Sequence, residues 1–198
     1  MSTLQNDLAA LIGSRICHDL ISPLSAIGNG VELLTMSGSA DTPEVSLISD
    51  SVDNANARIR FFRVAFGAAG AESILPAREL HDILTKMTQG SRFEVIWGVD
   101  GDLPRAEVKL AFLMLLCFET AMPWGGELQV TRQDGAWKMR GSAERMKIDP
   151  DLWQVVSTGT GKQIAPAEVQ FLLAPLVAAD QDRSVRCSIE ENRIAALF

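Results

Sequence analysis

Leu4, Leu8, Leu11, Ile12, Ile16, Leu20, Leu24, Ile27, Val31 and Leu34 recur three or four residues apart, the spacing of one helical face. The pattern predicts a helix over residues 4–37. Ser37-Gly38-Ser39-Ala40-Asp41-Thr42-Pro43 interrupts it with a glycine stop, then Thr42 as N-cap and Pro43 at the first helical position. A second period through Val45, Ile48, Val52, Ala55, Ile59, Phe62 and Phe66 predicts another helix, which fades at Gly67-Ala68-Ala69-Gly70. Two long helices on a short loop make an antiparallel hairpin. One neighbour cannot cover apolar stripes of this length. Two copies of the hairpin joined as a four-helix bundle are the economical solution.

From about residue 74 the rhythm changes. Ala77–Thr88, Arg105–Ala121 and Pro166–Ala179 read as helices, the second apolar on most sides and therefore buried. Phe93–Val99 reads as a strand. Glu127–Arg132 and Ala136–Arg140 alternate in polarity around Asp134-Gly135, a hairpin signal. Ser184–Glu190 and Arg193–Phe198 predict a last strand pair around Glu191-Asn192. The fold class expected is α+β. An N-terminal helical hairpin over residues 1–72 forms a dimeric bundle, and an α/β sandwich over residues 73–198 has helices on one face of a mostly antiparallel sheet.

Composition narrows the function. The chain has 198 residues, 47% hydrophobic and 22% charged, so it can bury a core. Its net charge of −7 argues against binding nucleic acid or an anionic membrane. The longest apolar runs, Leu110–Phe118 and Phe171–Ala179, are nine residues each, against about 20 for a membrane span. The N-terminus lacks the pattern of a secretory signal. Cys17, Cys117 and Cys187 have no metal or disulfide spacing. A cytoplasmic protein without a structural metal is expected.

Two histidines are present. His81 lies early in a predicted surface helix and reads as a solvated residue. His18 differs. At about 100° per residue, Leu11, Arg15, His18, Ser22, Ser25 and Asn29 form one mostly polar stripe, turned away from the apolar face. His18 is therefore expected to project into water. Asp19 follows it and can orient or polarise an imidazole. Ser22, one turn on, can contact a phosphoryl oxygen or a water. Pro23 removes the hydrogen bond to the Asp19 carbonyl and so loosens the helix beside His18.

His18-Asp19-x-x-x-Pro23-Leu24 resembles the H-box of the dimerisation and histidine-phosphotransfer domain of two-component signalling. The longer string Cys17–Ile27, together with Arg63-Val64-Ala65-Phe66-Gly67-Ala68, is similar to the histidine phosphotransferases of alphaproteobacterial phosphorelays. The resemblance implies a homodimer whose bundle carries the phospho-accepting His18, with a C-terminal part that is a degenerate relative of the kinase ATP-binding domain. The degeneracy can be read directly. The helix Leu113–Ala121 has no asparagine for Mg²⁺ and phosphates, and no DxGxG string follows. Gly159-Thr160-Gly161-Lys162 lacks the spacing of a phosphate loop. Phosphorylation from ATP is not expected, and no cofactor of the chain's own is implied; Mg²⁺ would come with the partner receiver.

The implied activity moves a phosphoryl group from the receiver aspartate of a hybrid histidine kinase to His18, and then to the aspartate of a response regulator. Asp19 would orient the ring. A hairpin turning near residue 40 or 41 sets Arg63 level with His18, so Ser22 and Arg63 are candidate phosphoryl contacts. Receiver docking is expected on Ser25, Ala26 and Asn29, and on Asn56, Ile59 and Arg60 of the second helix. The C-terminal part is expected to add a second contact for the acceptor. Two rival readings remain: a response-regulator phosphatase in which Ser22 positions water, and a non-enzymatic dimeric adaptor.

Overall fold

The computed structural model describes residues 3–37, 43–70, 72–161 and 163–198. The predicted loop at residues 38–42, with its Thr42 cap, and Lys162 lie outside them. Helix α1 spans Thr3–Ser37 and α2 spans Pro43–Ala65. α1 runs unbroken through Pro23. The α/β portion follows in the order β1 (Ile74–Leu75), α3 (Ala77–Thr88), β2 (Phe93–Gly98), β3 (Leu103–Pro104), α4 (Arg105–Ala121), β4 (Gly126–Gln133), β5 (Ala136–Ser142), α5 (Pro150–Thr158), α6 (Val169–Ala179), β6 (Arg186–Glu190) and β7 (Arg193–Leu197). A single 3-10 turn, Pro166–Glu168, precedes α6, so the helix expected from Pro166 begins with a tighter turn.

Five strands form one sheet in the order β2-β4-β5-β7-β6. The β2–β4 pair is parallel because α4 crosses between them, and every other pair is antiparallel. Alternation puts Trp137 and Met139 of β5 into the core, while Lys138 and Arg140 point out. Glycine is required at Gly141, the next inward position. A Cβ there would stand 2.6 Å from a Phe118 ring carbon and 2.9 Å from the Met122 methyl.

α4 is the spine of the molecule. Leu110 through Phe118 are all buried, as an all-round apolar helix must be. On one side Phe112 stacks on Phe61 of α2, with centroids 4.4 Å apart and planes 2° from parallel. Phe61, Phe62, Val64 and Ala65 thus belong to the same core as the sheet. Glu107, in the first turn of α4, fastens the opposite edge. It accepts two hydrogen bonds from Arg132, both 3.1 Å, and one from the Trp137 indole at 2.8 Å.

Two features are additional to the elements the sequence predicts. The β1–β3 pair is only two residues long on each side. α5 carried explicit signals: Asp149 accepts from the backbone N–H groups of Asp151 and Leu152, and Pro150 holds the first position. Gly159 ends the helix with φ 73°, so this glycine is a helix stop and not part of a phosphate loop.

Candidate functional site

His18 lies on the backbone of α1, on the stretch of the hairpin that packs against the α/β portion. The His18 and Cys17 side chains lie outside the described residues, so the expected projection of the ring into water falls there too. Its neighbours on the polar stripe are described. Ser22, Ser25 and Asn29 are exposed, as the stripe predicted. Arg15 departs from it. It is buried, 7% exposed, because the turn before α6 packs over it.

Asp19 is held from two sides. Arg15 Nε donates to Asp19 Oδ2 at 2.8 Å, an i to i+4 pair along α1. Arg58 Nη1 of α2 stands 3.9 Å from the same oxygen. The carboxylate is only 10% exposed. Both guanidinium groups are tied to the α/β portion. Arg58 Nη2 donates to Glu119 Oε1 of α4 at 3.3 Å. Arg15 Nη1 donates to the Ala167 carbonyl and to Gln170 Oε1, the latter at 3.2 Å. Gln170 Nε2 donates in turn to Thr120 Oγ1 of α4 at 2.9 Å.

Beyond Asp19 an open groove of about 410 Å³ runs between the two helices. Asp19, Ser22, Pro23 and Ala26 of α1 line it, with Ser51, Asn54 and Arg58 of α2. Five of those seven residues, Asp19, Ser22, Ser51, Asn54 and Arg58, are polar.

The lining also fixes the register of the hairpin. In an antiparallel pair, Ala26 lies toward Ser51, Ser22 toward Asn54 and Asp19 toward Arg58. The residue of α2 level with His18 is then near 59, about one helical turn from the 63 estimated from the loop. Arg63 accordingly pairs with Glu79 of α3 at 3.3 Å. Arg60 binds Asp82 at 2.5 Å, and Asp82 also meets Lys86 at 3.2 Å. Those two hydrogen bonds, Lys86 first and then Arg60, hold the Asp82 carboxyl below its usual range. Arg58 is the cation that sequence reasoning missed. An i to i+4 Arg15–Asp19 pair could have been read from spacing, but nothing local announced the arginine across the hairpin.

Of the remaining docking residues, Ala26 lines the groove, and Asn56 and Ile59 are exposed. Ile59 sits seven residues from Val52 and fourteen from Val45, both exposed as well. It therefore lies on an apolar stripe of α2. His81 is exposed on α3, as expected. Among the described residues no group of histidine, cysteine and carboxylate side chains could hold a metal, and no helix is long and apolar enough to cross a membrane.

Known proteins share this organisation. The family described as the histidine phosphotransferase C-terminal domain matches residues 77–193. A protein phosphotransferase, ChpT, of Brucella abortus is 44% identical over 126 residues, spanning 63% of this chain and 60% of the relative. The chain therefore aligns with less than two thirds of that relative's length. A solved bacterial phosphotransferase superposes over all of this chain and 97% of its own, with a TM-score of 0.80 and 32% identity. A histidine kinase, ThkA, solved in complex with the response regulator protein TrrA, shares the fold with a TM-score of 0.50 and 13% identity, over 99% of this chain and 63% of its own.

Proposed function

We propose a phosphohistidine relay as the activity of this chain, which belongs to the family of the histidine phosphotransferase C-terminal domain. His18 takes a phosphoryl group from the receiver aspartate of a hybrid histidine kinase and hands it to the aspartate of a response regulator. In the first step the Nε2 lone pair forms a P–N bond while the P–O bond of the acyl phosphate breaks. The donor carboxylate leaves, and Nδ1 keeps its proton. The second step reverses these changes on the acceptor. Both phosphorylated species are high in energy, so the transfer depends on in-line positioning and charge neutralisation, without nucleotide input. Mg²⁺ belongs to the partner receiver in this reading.

The observation that carries it is the groove beside His18, with Asp19 clamped at its end and Ser22 exposed on its rim. In this reading Ser22 and Arg58, both on the groove, meet the phosphoryl oxygens, with Arg58 taking the part first expected of Arg63. Ser25, Ala26, Asn29, Asn56 and Arg60 flank the docking path. The working unit is a homodimer in the cytoplasm. Leu24 and Val31 of α1, and Val45, Val52 and Ile59 of α2, are 36–59% exposed in one copy, at the seven-residue spacing of a helical seam.

The test is incubation of the full chain with a labelled, phosphorylated receiver, then with a second receiver. Acid-labile label on the chain, absent from His18→Ala, followed by label on the second receiver, is expected. Release of inorganic phosphate without transfer would favour the phosphatase reading. Transfer that survives His18→Ala would end the proposal.

A further inference from the structure

Three polar or charged side chains are buried among the described residues: Arg15, Ser51 and Gln170. Ser51 is satisfied locally, donating to the Leu47 carbonyl at 2.7 Å. The other two are bonded to each other across 155 residues of sequence. Buried ionic groups are weak contributors to stability, since apolar residues of similar volume often serve as well or better. Stability alone therefore does not explain why the α/β portion aims a fully buried amide at an arginine of the hairpin.

The geometry assigns it a task. Ala167 and Gln170 occupy Nη1 of Arg15, which fixes the guanidinium plane and leaves Nε directed at Asp19 Oδ2. Gln170 is neutral, so it accepts from Arg15 without competing with Asp19 for its charge. Its own N–H is spent on Thr120, which fixes the amide's orientation. Thr120 in turn donates to the Leu116 carbonyl at 2.9 Å, within rigid, buried α4. On the far side Glu119, the preceding residue of α4, steadies Arg58 against the same Asp19 oxygen.

We propose that Gln170, acting through Arg15, is a positioning residue for the phosphotransfer reaction: the α/β portion sets the Asp19 carboxylate beside His18. This rests on the reading of His18 as the phosphoryl carrier. It gives the nucleotide-poor α/β portion a role at the reacting centre that requires no ligand.

The test uses the full chain with Gln170→Met, which keeps length and apolar bulk but removes both hydrogen bonds. Single-turnover transfer from a phosphorylated receiver is expected to slow about tenfold at saturating receiver, with the half-saturating receiver concentration within about twofold of wild type. Asp19→Asn is expected to slow transfer similarly, and the double variant no more than the slower single one. Multiplied losses in the double variant would mean that Gln170 does not act through Asp19, and would overturn the proposal. Nitrogen-15 spectra of the His18 imidazole give a second readout. Wild type is expected to hold one ring tautomer and Gln170→Met a mixture; identical spectra overturn the proposal. Should Gln170→Met fail to fold, Thr120→Val frees the same amide at the other end and is expected to slow transfer about threefold; a wild-type rate there overturns the proposal. Transfer retained by His18→Ala sinks the carrier assignment itself. Transfer lost there but normal in Gln170→Met sinks only the positioning role.

Discussion

Ile59→Asp tests the proposed two-fold seam most severely. Five side chains per copy, Leu24, Val31, Val45, Val52 and Ile59, keep 36–59% of their surface in water. Full burial of such a side chain is worth about 1.5–3 kcal/mol, so the remaining exposed share is worth about 1 kcal/mol. Ten such side chains, five from each copy, line the proposed seam. An aspartate at position 59 forfeits about 1 kcal/mol and desolvates a carboxylate at about 2 kcal/mol or more. Two-fold symmetry doubles the loss to about 6 kcal/mol, about four decades in dissociation constant. Sedimentation velocity at micromolar concentration is the assay. Wild type should run as a dimer and Ile59→Asp as a folded monomer, while Thr131→Asp on the exposed sheet face stays dimeric. An Ile59→Asp dimer as tight as wild type would refute the seam, and would return Ile59 to the docking role that sequence reasoning gave it.

Further outcomes follow from the packing. Glu107→Ala strands the Trp137 indole and leaves Arg132 without its paired carboxylate, so denaturant unfolding should show a loss of about 2–4 kcal/mol. Gly141→Ala drives a methyl into Phe118 and Met122, and should cost about 1–3 kcal/mol by the same measurement. Burial pushes the Cys187 thiol up to about 11 from an ordinary 9.0. Its contribution to stability is therefore complete below pH 9 and lost as pH rises from 9 to 11, because the unfolded chain gives up that proton first. Peptide-resolved alkylation at pH 8 should label Cys187 far more slowly in the native chain than in urea, and equal rates would contradict its burial.

The sequence was most legible where one period dominated. The bounds of α3 and α4 coincide with those read from hydrophobic spacing, because both helices are set by burial against one sheet face. α5 escaped because Trp153, Val155 and Val156 sit close together in a nine-residue helix, too short for a repeat to emerge. Its end signals, Asp149-Pro150 and Gly159, are present in the sequence. The hairpin register slipped by about a turn because a loop length fixes the end of a helix only to within a few residues, and each residue moves the match by 1.5 Å. Periodicity puts Arg15 on a wet stripe because it reports a residue's face, not what packs there. What covers it comes from Ala167 and Gln170, more than 150 residues away. The polar network around Asp19 is a tertiary property throughout.

That network also engages the polar end of α4. The helix has no asparagine, and its polar groups near the C-terminal end are Glu119 and Thr120. Both are engaged, Glu119 with Arg58 and Thr120 with Gln170. These contacts tie the polar end of α4 to its neighbours, Glu119 to α2 of the hairpin and Thr120 to α6. ATP with Mg²⁺ is therefore expected to leave the melting temperature unchanged. The measurement is decisive in magnitude. A site with a dissociation constant of about 100 μM would, at about 5 mM nucleotide, stabilise the fold by about 2.3 kcal/mol. For a chain of this size that raises the midpoint by about 5–9 °C. A shift of that order would mean that the chain retains a nucleotide site, and would overturn the expectation that ATP does not bind.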